Sequence, residues 1–160
     1  MSDQRVPIPG SELPSRAGER WMTEDASSQT VTASVLLRRN PGSSVSEQEL
    51  LSGHYKPASR EAAAAALEAD PQDIAAVRAF AAQYELKVLE ENREARRIKI
   101  EGTVEQMDKA FGVTLRWASD SNGHRYFTYS GSLSVPQSLA GVVTAVLGLD
   151  QRPVAKHHAQ

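Results

Sequence analysis

The sequence contains no cysteine, which excludes disulfide bonds, thiolate metal sites and cysteine nucleophiles. Its net charge is small, formally −2 at pH 7, so we expect no broad electrostatic attraction to nucleic acid or to an anionic membrane. No apolar run approaches the roughly 18 residues that a membrane-spanning helix needs. Residues 1–20 lack the apolar core of a signal peptide, so the chain itself gives no export signal.

Residues that could carry chemistry are present but are not arranged for it. The histidines are His54, His124, His157 and His158, and none has a partner at a spacing that metal sites use. No serine lies in a nucleophile-elbow motif, and no glycine-rich phosphate loop is present. We therefore expect no catalytic residue, metal or cofactor in this chain. The residues alone favour an interaction module over an enzyme.

The composition is that of an ordinary globular protein. Hydrophobic residues make up 40% and charged residues 24% of 160 positions, which suits one domain with a buried core. Residues 1–28 are rich in Pro, Gly, Ser and charge, which predicts a flexible or extended N-terminal arm. A folded domain is predicted over residues 29–150. Residues 151–160 follow Gly148 and include Pro153, so we expect them to leave the domain as an extended linker.

Local patterns divide the domain into strands and helices. Apolar residues alternate over residues 31–37, as in a strand with one buried face. Asp70 followed by Pro71 predicts a helix start, and Thr103 with Gln106 forms the capping-box pattern that opens another helix. The remaining predictions are an Ala-rich helix over 59–69, strands near 86–90, 98–100 and 113–117, a hairpin partner over 125–129, and a last helix from Pro136 to Gly148.

This order of elements predicts a fold. Strand, helix, strand, strand, helix, strand is the split βαβ, ferredoxin-like arrangement, an α+β sandwich with an antiparallel sheet and helices on one face. The hairpin extension and the C-terminal helix are additions to it. The other face of the sheet must then meet solvent or a partner.

Strand residues that point away from the helices have no core of their own to fill, and we predict that they form a docking face. They are Thr32, Ser34 and Leu36 on the first strand and Arg97, Lys99 and Glu101 on the third. Trp117, Tyr126 and Tyr129 either extend this face, because aromatic residues are enriched at interface centres, or pack at the edge of the hairpin.

Two other functions fit a ferredoxin-like domain. A cluster of Arg93, Arg96, Arg97 and Lys99 suggests nucleic acid, but residues 97–101 lack the stacking aromatics that RNA-binding sheets carry, and a solvated sheet edge explains the charges better. A free-standing regulatory or ligand-binding module stays open, because fold alone does not name a function.

Specific residues resemble a known family. Residues 32–39 (TASVLLRR), 54–55 (HY) and 70–77 (DPQDIAAV) are similar to the early part of the pro-kumamolisin activation domain. Residues 98–115 carry a matching core that ends in AFGVTL. The strongest stretch is 135–153, in which a Val-Pro start, the sequence AVLGLD and a final Arg-Pro resemble the end of that domain. Together these pieces cover about residues 29–154.

The resemblance implies a role in a precursor. In this family the domain precedes a subtilisin-like catalytic domain of the sedolisin type, with a Ser, Glu and Asp triad and a calcium site. The propeptide assists folding, blocks the active site and is removed by self-cleavage at acidic pH. No catalytic or calcium residue carries over, and residues 151–160 would lie in the linker toward the catalytic domain. By resemblance the precursor is exported, and its partner is its own catalytic domain rather than nucleic acid or membrane.

We expect two features in the release of the propeptide from the catalytic domain. The cleavable, active-site-blocking tail would carry Arg152, Lys156, His157 and His158, and its histidines gain charge below about pH 6. Carboxylates paired across the interface would make binding acid-sensitive. The sequence does not identify these pairs, although Glu101, Glu105 and Asp108 lie on or beside the third strand and the second helix of the split βαβ pattern.

Overall fold

Four strands form the central antiparallel sheet of the computed structural model, which describes residues 4–14, 16–40 and 68–152. In chain order the strands of these ranges are β1 (Arg5–Pro7), β2 (Arg20–Trp21), β3 (Thr30–Leu37), β4 (Lys87–Asn92), β5 (Arg97–Thr103), β6 (Arg116–Ser119), β7 (Arg125–Thr128), β8 (Ser134–Pro136) and β9 (Val143–Leu147). The α-helices within the described ranges are α1 (Pro71–Gln83), between β3 and β4, and α2 (Val104–Phe111), between β5 and β6. The predicted helix over 59–69 lies almost entirely outside the described residues.

The central sheet has the order β4-β5-β3-β9, and every neighbouring pair is antiparallel. This is the strand arrangement of the split βαβ fold, so the predicted ferredoxin-like α+β class is confirmed. One face of the sheet is apolar and buried, as Val35 and its neighbour Ile98 show, each at 1% exposure. Val77 of α1 and Met107 of α2 belong to the same buried cluster, so both helices cover this one face.

Each helix begins at the residue predicted from the sequence. The side chain of Asp70 accepts a hydrogen bond from the backbone N–H of Gln72 (2.9 Å) at the start of α1. Thr103 and Gln106 form the reciprocal capping box of α2, in which each side chain accepts from the other's backbone N–H. Gly112 ends α2 in the left-handed conformation (φ 67°), which a residue without Cβ adopts without strain.

A second, three-stranded sheet has the order β2-β6-β7. Its β6–β7 hairpin is the predicted extension, and its turn is held by Asp120, whose carboxylate accepts from the backbone N–H groups of Asn122 and His124 (both 2.9 Å). The predicted fourth strand over 113–117 is wrong, because the strand begins at Arg116 and pairs outside the central sheet.

The predicted C-terminal helix from Pro136 to Gly148 is also wrong. A 3₁₀ turn occupies Gln137–Leu139, and β9 follows it as the fourth strand of the central sheet, where Val146 pairs with Val35. Gly141 interrupts the helical pattern with φ +79°, and the β-branched residues after it favour an extended chain. The open edge of β3 supplies the pairing that decides between the two conformations.

The described residues of the N-terminal arm form two short strands joined by turns, and they are hydrogen-bonded to the domain. Strand β1 pairs with β8, and β2 pairs with β6. Ile8 is buried at 3% exposure and its backbone N–H donates to the carbonyl of Leu133 (2.7 Å). Among the described residues, no helix has the length and apolar character that crossing a membrane requires.

Candidate interface

Six of the candidate docking residues lie together on the face of the central sheet opposite the two described helices. Thr32, Ser34 and Leu36 are the cross-strand partners of Glu101, Lys99 and Arg97, respectively, so all six side chains share one face. The register extends this face to both edges. We call it the outer face, and its further members are Ala145 and Leu147 on β9 and Lys87, Glu90 and Asn92 on β4.

The outer face changes in character from one edge to the other. At the β9 edge it is apolar, and Leu147 is 55% exposed. At the β4 edge it is charged, and Arg97 forms an ion pair with Glu90 at 3.3 Å. A surface that places an exposed leucine beside ordered charges can bind a protein partner by combining apolar burial with charge pairing.

Trp117 lies elsewhere. It belongs to β6 of the three-stranded sheet, where its ring stacks on that of Phe127 (centroids 3.9 Å apart) beneath the guanidinium of Arg125. The hydroxyl of Tyr126 donates to Glu19 (2.7 Å) and that of Tyr129 to the carbonyl of Ser11 (2.8 Å). These aromatic side chains therefore pack within the hairpin and against the arm, and they do not extend the outer face.

The three carboxylates noted on or beside the third strand and the second helix divide between two faces of the sheet. Glu101 is on the outer face, whereas Glu105 and Asp108 are on α2, on the opposite side of the sheet. Asp108 accepts from the backbone N–H of Leu115 (2.8 Å), and burial raises its pKa to about 6, with a smaller upward contribution from Glu105. Its place on the helix layer makes it a group that tunes the stability of the domain rather than a docking residue.

Arg152, expected in the extended tail, is inside the domain. Its side chain is 3% exposed, and its Nε donates to Asp150 Oδ1 at 3.0 Å. Its Nη1 donates to the carbonyl of Pro14 at 3.0 Å and lies 3.8 Å from the carboxylate of Glu19. Lys156, His157 and His158 lie outside the described residues.

Glu19 also accepts from Tyr126, whose pKa is raised to about 12, first by burial and then by this hydrogen bond. Glu19 could not be found as a partner of Arg152 from the sequence, because no local pattern links residues so distant in the chain. Asp150 is only two residues before Arg152, but the pair was not expected because residues 151–160 are predicted to leave the domain. Among the described residues, no group of three or more His, Asp or Glu side chains comes together as a metal site.

The fold and its faces define the class of protein: a ferredoxin-like α+β domain whose described helices lie on one side of the central sheet. The chain matches the family described as "Pro-kumamolisin, activation domain" over residues 23–152. It therefore belongs to the pro-kumamolisin activation domain family. It is similar to kumamolisin from Bacillus sp. (strain MN-32), with 36% identity over 135 residues, which is 81% of this chain and 24% of the relative. The chain thus spans about a quarter of the length of that curated relative.

Proposed function

We propose that this chain is the propeptide of an acid-acting serine-carboxyl peptidase of the sedolisin family, and that it assists folding of the catalytic domain and keeps it inactive until acid triggers self-cleavage. The observation that carries the proposal is the family match to an activation domain over residues 23–152. The precursor would be a secreted protein. The catalytic triad and a calcium ion would belong to its catalytic domain.

The outer face is the surface by which the propeptide would bind this subtilisin-like catalytic domain. Both described helices pack on the other face of the sheet, and within residues 4–14, 16–40 and 68–152 no helix covers the outer face. Leu147, at 55% exposure, offers apolar area at one edge. Lys99 and Arg97 offer cations near the other edge, and these would pair with carboxylates of the partner.

Such pairs supply an acid trigger. A carboxylate that gains a cation partner in the complex has its pKa lowered below the ordinary value of about 4. The resulting stabilisation of the complex is fully present above the ordinary pKa of the carboxylate and is lost as the pH falls through the lowered pKa. Acid would therefore weaken the binding of the propeptide to the catalytic domain.

Inhibition in trans tests the proposal. The catalytic domain is prepared from the activated precursor, and the isolated chain is added to it at near-neutral pH. We expect saturable inhibition and faster recovery of activity when the denatured catalytic domain refolds with the chain present. Removal of residues 154–160 should weaken inhibition without lowering the melting temperature. A chain that neither inhibits nor assists refolding would contradict the proposal.

A further inference from the structure

We propose that Arg152 is a positioning residue, which fixes the point where the cleaved segment leaves the domain and thereby selects the peptide bond that is cut. The inference rests on the proposed function, because it concerns release of the propeptide. Arg152 is also the last residue of the family match, so the anchor lies at the border between the domain and the segment that follows it.

The guanidinium is held from both ends of the domain. Asp150 accepts from Nε at 3.0 Å, and the carbonyl of Pro14 in the arm accepts from Nη1 at 3.0 Å. Glu19 adds a second carboxylate, 3.8 Å from Nη1 and 8% exposed. A buried guanidinium is stable only where its charge is paired and its donors are satisfied. These partners therefore define one position for the side chain and for the backbone that carries it.

The residues before Arg152 are fixed as well. The backbone N–H of Gln151 donates to the carbonyl of Phe127 (2.8 Å), and the hydroxyl of Thr128 donates to Asp150 Oδ1 (2.9 Å). Leu149 is fully buried. The chain is thus attached to β7 and to the arm up to its last described residue.

This attachment limits the reach of the segment beyond it. An extended chain spans at most about 3.3–3.6 Å per residue, so freeing residues 150–152 would add roughly 10 Å of slack. Successive peptide bonds are one residue apart, and that slack would bring about three further bonds into the same cleft position. With Arg152 in place, the distance from the docked domain to the catalytic centre selects among these bonds.

Mass spectrometry of the full precursor after acidification tests the assignment. Wild type should give one dominant first cut beyond residue 152. Arg152→Met, which keeps the apolar stem and removes the charge, should spread the first cuts over two or more neighbouring bonds. Arg152→Lys, which keeps the charge but not the fork of donors, should give an intermediate distribution. A purely structural role would lower the melting temperature and leave the cut unchanged.

Arg78→Met is the matched control, because Arg78 is an exposed arginine that pairs with Glu91 on the surface. It should keep the wild-type cut.

Asp150→Ala is the second test, since this half-buried side chain accepts from Thr128 and from both the backbone and the side chain of Arg152. If Arg152→Met does not fold, broadened cuts in Asp150→Ala support the assignment. A single unchanged cut in either folded variant overturns it. Failure of the proposed function would look different, because the wild-type precursor would then release no propeptide at all.

Discussion

Ser34 on β3 and Leu147 on β9 are cross-strand partners on the outer face of the central sheet. Ser34 also pairs with Lys99 on β5, so only Ser34 lies between the exposed Leu147 and Lys99 across the sheet. The apolar and the charged parts of the outer face are therefore contiguous. This continuity depends on β9 being a strand, which makes the turn after β9 a sensitive point of the structure.

Gly148 ends β9 in a conformation that only glycine adopts easily, with φ +104°, and a Cβ there would lie 2.7 Å from the carbonyl oxygen of Thr32. We expect Gly148→Ala to lower the free energy of unfolding by about 2–3 kcal/mol, since strain and a backbone clash add together. Gly131→Ala is the control, because Gly131 has φ +85° with open space around its Cβ position, and it should lower stability by only about 1 kcal/mol. Equal effects in urea unfolding would contradict the clash.

A bidentate ion pair joins the residue that follows β3 to the first turn of α1. Arg38 donates to both carboxylate oxygens of Asp73 (2.9 and 3.2 Å), and the Asp73 side chain is 9% exposed. Arg38→Ala should lower the free energy of unfolding by about 1–3 kcal/mol, because a buried carboxylate loses its partner. Arg78→Ala, which removes an exposed pair with Glu91, should change it by less than about 1 kcal/mol. The prediction fails if the two variants lose the same stability.

Asp108 gives the domain a stability that increases in mild acid. Its pKa of about 6 in the folded state exceeds the value of 3.8 for an unperturbed aspartate, so the folded state binds more protons between these pH values. Stability from this group therefore rises as the pH falls from 7 to 4. Asp108→Asn should be more stable than wild type at pH 7, by about 1 kcal/mol after allowance for partial exposure, and the advantage should vanish near pH 4.

Melting temperatures measured across that range check this prediction. Glu94→Gln, which removes an exposed carboxylate, is measured in parallel as the control. A constant difference between Asp108→Asn and wild type from pH 7 to pH 4 would show that burial does not raise the pKa of Asp108.

Inhibition of the separated catalytic domain should weaken in acid even though the isolated propeptide stays folded. We expect the inhibition constant to rise at least tenfold between neutral pH and about pH 3, because interfacial carboxylates lose their charge there. Circular dichroism on the free propeptide provides the control for its fold. A flat inhibition profile would remove carboxylate pairs from the mechanism.

The sequence predicted those elements whose signals are local. The caps at Asp70 and Thr103 act within one helical turn, and both helices begin where these caps place them. The strand β9 was missed because Leu139, Val142, Val143 and Val146 repeat at helical spacing. Its true partner, β3, is more than a hundred residues away in the chain, and such a pairing leaves no local signal.

The same limit applies to the candidate interface. Alternation along β3 and β5 was enough to identify six members of the outer face, and the register places them together. Leu147 could not be identified as a member of the outer face from the sequence, because the pattern of its segment predicts a helix. The fixed position of Arg152 could not be predicted either, because its partners Pro14 and Glu19 belong to an arm whose composition predicts a flexible or extended segment.

The affinity of outer-face variants for the catalytic domain tests most directly whether the outer face binds the peptidase. The double variant Lys99→Glu, Leu147→Glu changes both the charged and the apolar part of this face at exposed positions. Arg78→Glu with Lys109→Glu places two added acids on the helix layer instead. The measurement is the inhibition constant at neutral pH, with melting temperature as the check on folding. We expect a rise of at least tenfold, about 1.4 kcal/mol, for the outer-face variant and little change for the control. An unchanged constant for a folded outer-face variant would contradict the claim that this face binds the peptidase.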